Sequence, residues 1–362
     1  MDRAFTTSDP GTLSLRLRNL ASSALFVLLA SVIYAFSPHN ARQMERLYGW
    51  VGFSFTGAEF LLNATLGYVG LLAIFYLAER KPGVSKSLRT VRVAGRFLRR
   101  PLDVWHSGLE RADRVAVLTT LLKGFFAPMM TMSLIVFLMS AIENASAIAT
   151  SNTFRWDPRM AFDWYGFWLM LRIILFVDVL VFTIGYLVEL PRLKNEIRSV
   201  DPTLMGWGAA MVCYPPFNVL TGKLLGANVS DFPRFDDPTA HFGLNLALLA
   251  LLAIYASASV ALGWKASNLT HRGVIARGPY AVIRHPAYVC KNMAWWIGSI
   301  PLVSAEFAHS AFAGVSAVAS VVAWSMIYVL RALTEEDHLK SVDGEYAAYA
   351  AKVRYRFIPG VI

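Results

Sequence analysis

The sequence predicts an all-α, polytopic integral membrane protein with about eight transmembrane helices and cytoplasmic N- and C-termini. Hydrophobic residues make up 56% of the 362 residues and charged residues only 16%. Mean hydropathy is positive, and long apolar runs recur between clusters of charge. A water-facing surface would need more polar side chains than this composition supplies, so a lipid bilayer is the predicted solvent for most of the chain.

Apolar runs of about 20 residues suit helices that cross a hydrocarbon core about 30 Å thick. Eight runs bounded by charge or by Pro and Gly are Leu20 to Phe36, Phe60 to Ala78, Val115 to Ile142, Trp164 to Val188, Leu204 to Leu225, Phe242 to Trp264, Ala287 to Val303 and Ala311 to Leu330. The first is too long for a signal-peptide core and is interpreted as a retained span. Prolines, glycines and Lys223 interrupt the fifth, which is interpreted as a broken but spanning helix.

The distribution of basic residues predicts the orientation, because Lys and Arg in short loops stay on the cytoplasmic side. With the N-terminus inside, 26 of the 34 basic residues fall in inner segments. A re-entrant fifth run would move residues 265–291 outside and remove most of this asymmetry. Both termini are therefore predicted to be cytoplasmic, in a bacterial inner membrane or the endoplasmic reticulum.

The largest inner segment is a basic loop of residues 79–114, which holds 10 Lys and Arg residues. Two interpretations fit this loop: a solvated connector, and a segment that lies on anionic lipid headgroups. Nucleic acid is not a predicted partner, because the net charge of +10 forms no single basic face. Cys213 and Cys290 lack metal-ligand spacing, so no metal site is predicted.

A polar string follows the sixth run: residues 277–288 read RGPYAVIRHPAY. Proline disfavours a helical conformation in the residue before it and suits the first position of a helix. His285 is therefore predicted to cap the seventh helix and Pro286 to start it. The N–H groups of such a start attract anions, and Arg284 lies beside them. The alternative is an ordinary capped helix whose arginine reaches the headgroups.

A second cluster follows the eighth run: residues 331–339 read RALTEEDHL. Helical spacing places Arg331 and Glu335 on one face and Glu336 about 100° round the helix. Glu335 is therefore predicted to be paired and Glu336 to be free. The alternative is a solvated acidic patch on an interfacial helix.

One apolar helical face, interrupted at Gly344, is predicted beyond this cluster and should cover it from the inner surface. Its residues recur at spacings of three and four: Leu339, Val342, Tyr346, Tyr349 and Val353. The two polar clusters are joined by a hairpin of two spans, so they should emerge on the same side and converge. A cationic helix start facing carboxylates suits S-adenosylmethionine, which carries a carboxylate, an ammonium and two ribose hydroxyls.

The two strings resemble those of the isoprenylcysteine carboxyl methyltransferases and their relatives among the phospholipid methyltransferases. The shared patterns are Gly-x-Tyr-x-x-x-Arg-His-Pro-x-Tyr and Arg-x-x-x-Glu-Glu-x-x-Leu, here residues 278–288 and 331–339, followed by Tyr346 and Tyr349. The resemblance covers residues 242–362 and departs at Cys290, where the family usually has glycine. It implies a methyltransferase-like catalytic region at residues 241–362, after an N-terminal region of about five spans at residues 1–240.

The resemblance implies S-adenosylmethionine as the cofactor and a lipid or prenylated substrate, such as an isoprenylcysteine-like carboxylate, that arrives from the membrane. The implied catalytic residues are Arg284, His285, Arg331, Glu335 and Glu336. The implied cofactor-binding residues are Tyr280, His285, Pro286, Tyr288, Glu335, Glu336 and Arg356. In this hypothesis the Arg284 region holds the cofactor's amino-acid end, the glutamates hold its ammonium or hydroxyls, and Arg331 orients the pair.

Membrane sterol reductases are also similar, at Arg-His-Pro-x-Tyr and at the Val-x-Tyr-Arg-x-Ile-Pro ending of residues 353–359. They imply NADPH-dependent reduction of a sterol or isoprenoid. Those reductases usually carry Arg-Asp where this chain has Glu335 and Glu336, so the methyltransferase is preferred and the reductase is the alternative.

Ionisable residues in the fourth run are the remaining candidates, because charge inside a membrane is costly and often functional. Arg172, Asp178 and Glu189 lie in this run or at its end. Structural pairing of the carboxylates with Arg172 or Lys223 is the favoured interpretation, and a substrate cavity is the alternative.

Overall fold

The computed structural model describes residues 10–50, 52–102, 108–151, 157–225, 229–342 and 344–361. Most of these residues are helical. Within these described ranges six segments are long and apolar enough to cross a membrane: Gly11–Ala35, Gly57–Ala78, Arg111–Thr150, Pro158–Leu187, Pro238–Lys265 and Ala311–Val342. The prediction of an α-helical membrane protein is confirmed at this level.

The chain divides into two compact units, Met1–Met132 and Ser133–Ile362. The division falls within the long helix Arg111–Thr150. The predicted functional boundary after residue 240 was placed by motif content rather than by packing, and it stays a prediction.

The first unit contains a helical pair with a small hairpin and a basic helix. Its elements are α1 (Pro10–Ala35), α2 (Ala41–Glu45), β1 (Leu47–Trp50), β2 (Phe53–Thr56), α3 (Gly57–Ala78), α4 (Lys86–Arg99) and the first part of α5 (Arg111–Thr150). A capping box starts α3, because the Thr56 hydroxyl accepts from the Glu59 N–H while the Glu59 carboxylate accepts from the Thr56 N–H. Helix α4 lies within the predicted basic loop; residues 103–107 of that loop fall outside the described residues.

The second unit is built from long helices joined by short polar segments. After the end of α5 its elements are α6 (Pro158–Ala161), a π-helical turn (Phe162–Gly166), α7 (Phe167–Leu187), β3 (Ser199–Val200), α8 (Leu204–Met211), α9 (Phe217–Leu225), α10 (Pro238–Leu262), β4 (Thr270–His271), α11 (Pro286–His309), α12 (Ala311–Val342) and α13 (Glu345–Lys352). Helix α10 packs against α7 and α11, and α11 packs against α12 as a hairpin. The two-residue strands β3 and β4 pair antiparallel, a contact too short for sequence periodicity to predict.

The fifth predicted span is two short helices, α8 of 8 residues and α9 of 9 residues. The predicted break is confirmed, and it lies where Pro215 and Pro216 prevent a continuous helix. The segment as a whole joins opposite ends of α7. Before it, the Asn195 amide donates to the Val188 carbonyl at the end of α7; after it, the Phe232 ring lies 4.4 Å from the Phe167 ring at the start of α7.

The seventh predicted span is α11, whose 24 residues begin at Pro286 with His285 at the N-cap. This start is the predicted one. At 1.5 Å per residue the helix is about 36 Å long, which is sufficient to cross a hydrocarbon core. Among the described residues, however, α11 is not one of the six helices that are both long enough and apolar enough to be candidate spans.

A glycine sets the distance between α7 and the segment that leads to the site. A Cβ at Gly185 would overlap the carbonyl oxygen of Ala266. We expect Gly185→Ala to destabilise the protein by at least about 1 kcal/mol, because the backbone has no room to move, and to lower its thermal unfolding temperature in detergent. Gly243→Ala on α10, where a Cβ meets open space, is the matched control. Equal unfolding temperatures of the two variants would contradict this close approach.

Candidate functional site

The two polar strings of the sequence meet at one end of the α11–α12 hairpin. The backbone N–H groups of Arg284 and His285 donate to the carbonyl oxygens of Tyr355 and Arg356, at 3.0 and 3.1 Å. The C-terminal tail therefore lies in an extended conformation along the residues that precede α11. This arrangement brings Arg356 to both strings, and the predicted convergence is confirmed.

The centre of this meeting point is Glu336, whose side chain has no solvent-exposed surface. Oxygen Oε1 lies 3.1 Å from His285 Nε2 and accepts from Arg356 Nε at 3.1 Å. Oxygen Oε2 accepts from Arg356 Nη2 at 2.9 Å, Lys340 Nζ at 3.2 Å and Arg284 Nη1 at 3.4 Å. The hydrogen bonds to Glu336 raise the pKa of the Arg356 guanidinium above its usual value. One buried carboxylate thus holds together the start of α11, the end of α12 and the tail.

The predicted pairing within the acidic string is wrong in both respects. Glu336, predicted to be free, is the enclosed residue, and Arg331 does not bond to Glu335. Helical spacing can predict partners only within one helix. The groups that contact Glu336 from Arg284, His285 and Arg356 belong to other segments. These contacts also show that Arg284 and His285 are occupied by Glu336.

Of the two neighbouring glutamates, Glu335 is the one that remains accessible. It is exposed at the surface of α12, and its Oε2 accepts a hydrogen bond of 2.8 Å from the Tyr288 hydroxyl. Within the described residues this is the one hydrogen bond to its side chain. The Tyr288 ring is in turn stacked on His285, with centroids 5.4 Å apart. Tyr288 therefore connects the enclosed charge cluster to the accessible carboxylate.

Arg331 is a buried cation without a carboxylate partner in the part of the chain that the structure describes. Only 7% of it is exposed, and its Nη2 donates to Asn268 Oδ1 at 2.8 Å. The guanidinium carbon lies 5.1 Å from the Tyr288 ring centroid and 5.6 Å from those of Tyr214 and Tyr328. Aromatic faces attract a cation but do not neutralise its charge. The site therefore contains a buried positive charge that an anionic ligand group would compensate.

Asn268 fixes the position of Arg331, and sequence reasoning missed it. Its side-chain amide donates to the Tyr186 and Tyr214 hydroxyls at 2.9 and 3.1 Å, which leaves the carbonyl oxygen directed at Arg331. No motif or periodicity marks Asn268, because its role depends on three segments distant in sequence. Lys340, also missed, lies four residues after Glu336, and helical spacing offered that signal.

Helix α13 covers the cluster as predicted, after a break that includes Gly344. Tyr346, Tyr349 and Val353 form one buried group, and the Tyr349 hydroxyl donates to the Tyr280 carbonyl at 2.8 Å. Burial raises the pKa of Tyr349 to about 12 and that of Tyr280 well above its ordinary value, so both phenols are neutral at physiological pH. The predicted cofactor residues Tyr280 and Pro286 thus belong to the framework that positions Arg284 and His285.

The ionisable residues of the fourth run contact groups other than their predicted partners. Asp178 accepts hydrogen bonds from the Tyr255 and Ser259 hydroxyls. Arg172 lies over the Trp168 ring at 5.5 Å, and Glu189 accepts from the Ile197 N–H at 2.9 Å. The predicted pairing of Asp178 with Arg172 or Lys223 is wrong, because hydroxyl groups of α10 satisfy the buried carboxylate instead.

A line of polar and aromatic groups leads from the site along α11. Lys291 follows Tyr288 by one helical turn, and its ammonium lies 5.1 Å from the Trp295 ring, 5.7 Å from the Tyr328 ring and 5.8 Å from the Tyr255 ring. Tyr328 also contacts Arg331, and Tyr255 also binds Asp178. Sequence reasoning gave Lys291 no role beyond its charge.

Comparison with known families gives one match. Residues 225–353 match the family described as "Protein of unknown function (DUF1295)". The matched region contains both polar strings and Lys291, whereas Arg356 lies beyond its end. No curated protein and no solved structure matches the chain significantly.

Proposed function

We propose that this protein is an integral membrane S-adenosylmethionine-dependent methyltransferase that acts on a lipid or prenylated substrate bearing a carboxylate. One observation carries the proposal: an accessible carboxylate, Glu335, and a buried guanidinium that has no counterion among the described residues, Arg331, contact the same tyrosine, Tyr288. A ligand end that carries both an ammonium and a carboxylate is complementary to this pair. Both residues lie in the strings that resemble those of the isoprenylcysteine carboxyl methyltransferases, which also supports the proposal.

The fit to the cofactor rests on the free charges of the site. Arg331 would bind the carboxylate of the amino-acid end, which would compensate its charge, and Glu335 would bind the ammonium. Tyr288 would hold both groups in place. Arg284 and His285, which the sequence assigned to the cofactor's amino-acid end, would instead support this geometry through Glu336. The chemistry that the cofactor supplies when bound is an electrophilic methyl group on a sulfonium.

Lys291 is the residue we assign to the acceptor. An acceptor carboxylate is already ionised at neutral pH, so the protein needs no general base and mainly has to align the reactants and exclude water. The Lys291 ammonium and its surrounding rings would attract such a carboxylate from the membrane side of Tyr288.

We infer a topology of eight spans with the site at the cytoplasmic face. The broken α8–α9 segment joins opposite ends of α7, and α11 is long enough to cross, which supports two spans beyond the six most apolar segments. With eight crossings, the distribution of basic residues would put both termini and the site in the cytoplasm.

The proposed activity is tested on the full chain purified in detergent. We expect methyl-labelled S-adenosylmethionine to bind and to transfer label to a base-labile ester in a membrane lipid extract, since a methylated carboxylate is a methyl ester. NADPH with the same extract is the comparison. Oxidation of NADPH without transfer of label would reject the proposal in favour of the reductase.

Glu335→Gln tests the ammonium-binding role directly. We expect it to weaken S-adenosylmethionine binding by about tenfold or more, because it removes a charged hydrogen-bond acceptor, while the unfolding temperature of the ligand-free protein stays unchanged. The control is Asp337→Asn, two positions along α12 and also exposed. Calorimetry that gives both variants the wild-type affinity would remove Glu335 from the site.

A further inference from the structure

The basic helix α4 of the first unit is held at a defined position. Asn19 of α1 accepts from the Ser85 N–H at 3.0 Å and donates to the Gly83 carbonyl at 2.7 Å. On α5, the Thr120 hydroxyl lies 3.0 Å from that of Thr90. Helix α4 therefore belongs to the packed unit and connects two segments that are candidates to cross the membrane.

An open cavity of about 450 Å³ lies between α4 and the start of α5. Its α4 wall is formed by Thr90, Val93, Ala94 and Phe97, which share one helical face, and Val117 of α5 also lines it. The volume is within the range of sites that bind small molecules, and the lining side chains are almost all apolar. The cavity therefore suits a hydrocarbon chain.

The charges beside the cavity suit an anion. Helix α4 holds five basic and no acidic residues. Arg89 and Arg96, seven residues apart on one flank of the cavity wall, share a single carboxylate, Asp113. Their side chains are 40% and 53% exposed. Among the described residues one of the two positive charges is therefore uncompensated at the rim and accessible to a ligand.

The surface around the cavity is that of a helix at a membrane interface. Phe97 and Leu98 at the end of α4 and Leu102 after it are 50%, 82% and 69% exposed. Exposed apolar side chains combined with cations are typical of helices that lie at the boundary between headgroups and acyl chains. A lipid is therefore the occupant whose apolar and anionic parts match both features.

We propose that this cavity is a binding site for one anionic phospholipid, with an acyl chain between α4 and α5 and its phosphate-bearing headgroup on Arg89 and Arg96. The site lies in the first unit and is independent of the proposed methyltransferase activity. It assigns the basic loop a specific ligand in place of a general attraction to headgroups.

The test is native mass spectrometry of the full chain in detergent with dioleoyl phosphatidylglycerol or dioleoyl phosphatidylcholine. We expect the wild-type protein to retain the anionic lipid at least about fivefold more strongly, as one uncompensated cation near a surface predicts. Ala94→Trp should fill the cavity and reduce retention of phosphatidylglycerol to background. Val91→Trp, exposed on the same helix but outside the cavity wall, should retain it.

A charge pair of variants keeps the test decisive if Ala94→Trp fails to fold. Arg96→Gln should lose about fivefold in retention of phosphatidylglycerol, whereas Arg99→Gln, on the side of α4 that is turned away from the cavity wall, should lose little. Equal retention of the two lipids, equal effects of the two arginine variants, or displacement of the lipid by soluble glycerol phosphate at equal concentration would overturn the proposal. Loss of lipid binding without loss of methyl transfer would leave the proposed function intact.

Discussion

Glu336→Gln is expected to destabilise the protein by about 3 kcal/mol or more and to abolish activity as a consequence. The carboxylate is fully enclosed and accepts hydrogen bonds from Arg284, Lys340 and Arg356, with His285 also in contact. Removal of one partner from a buried ion cluster leaves the other charges without compensation, which costs far more than a surface ion pair contributes. The measurement is thermal or denaturant unfolding of the purified variant in detergent.

Glu335→Gln is the matched control, because it makes the same chemical change one residue earlier at an exposed position. We expect that control to unfold like the wild-type protein. If Glu336→Gln kept the wild-type stability and only lost cofactor affinity, the enclosed cluster would be a binding site and the assignment of Glu336 as its structural centre would be wrong.

Arg331→Met is expected to have the opposite pattern: unchanged or higher stability without ligand, and loss of cofactor binding. The guanidinium is buried without a carboxylate partner in the described part of the chain, so an apolar side chain of similar length removes an uncompensated charge. In the wild-type protein, S-adenosylmethionine at about 100 times its dissociation constant should stabilise the folded state by about 2.7 kcal/mol. That ligand-dependent shift should be absent from the variant.

Arg172→Met is the matched control for this experiment. Arg172 also lies over aromatic rings in a membrane segment, those of Trp168 and Phe137, but it does not contact the site. S-adenosylmethionine should stabilise the folded state of this control as much as that of the wild-type protein. An Arg331→Met protein that unfolds easily without ligand would assign Arg331 to the framework, and one that keeps the shift would place the cofactor's carboxylate elsewhere.

Together, the Glu336→Gln and Arg331→Met experiments distinguish residues that stabilise the fold from residues that bind the ligand within one short string. Glu336 acts on the fold, since it joins three segments by hydrogen bonds. Arg331 and Glu335 carry the charges that are left for a ligand. This division explains how neighbouring glutamates in one motif can have different roles: Glu336 points into the packed core and Glu335 points to the surface.

The sequence alone predicted those features of the fold that depend only on residues close together in the chain. The proline rule located the start of α11 at Pro286, and spacings of three and four located the apolar face of α13 with its break near Gly344. The hairpin of α11 and α12 then required the two polar strings to converge. These predictions succeed because backbone sterics and helical periodicity act over a few residues.

The tertiary structure alone decided which charges are paired. Arg356 reaches Glu336 only because the tail lies along the residues before α11, and Asn268 reaches Arg331 only because Tyr186 and Tyr214 orient it. In the same way, Asp178 is satisfied by hydroxyls of α10 rather than by an arginine of its own helix. Periodicity identifies the face on which a side chain lies. Which group meets it there depends on long-range packing, and in a buried site that choice determines whether a charge stabilises the fold or remains available to bind a ligand.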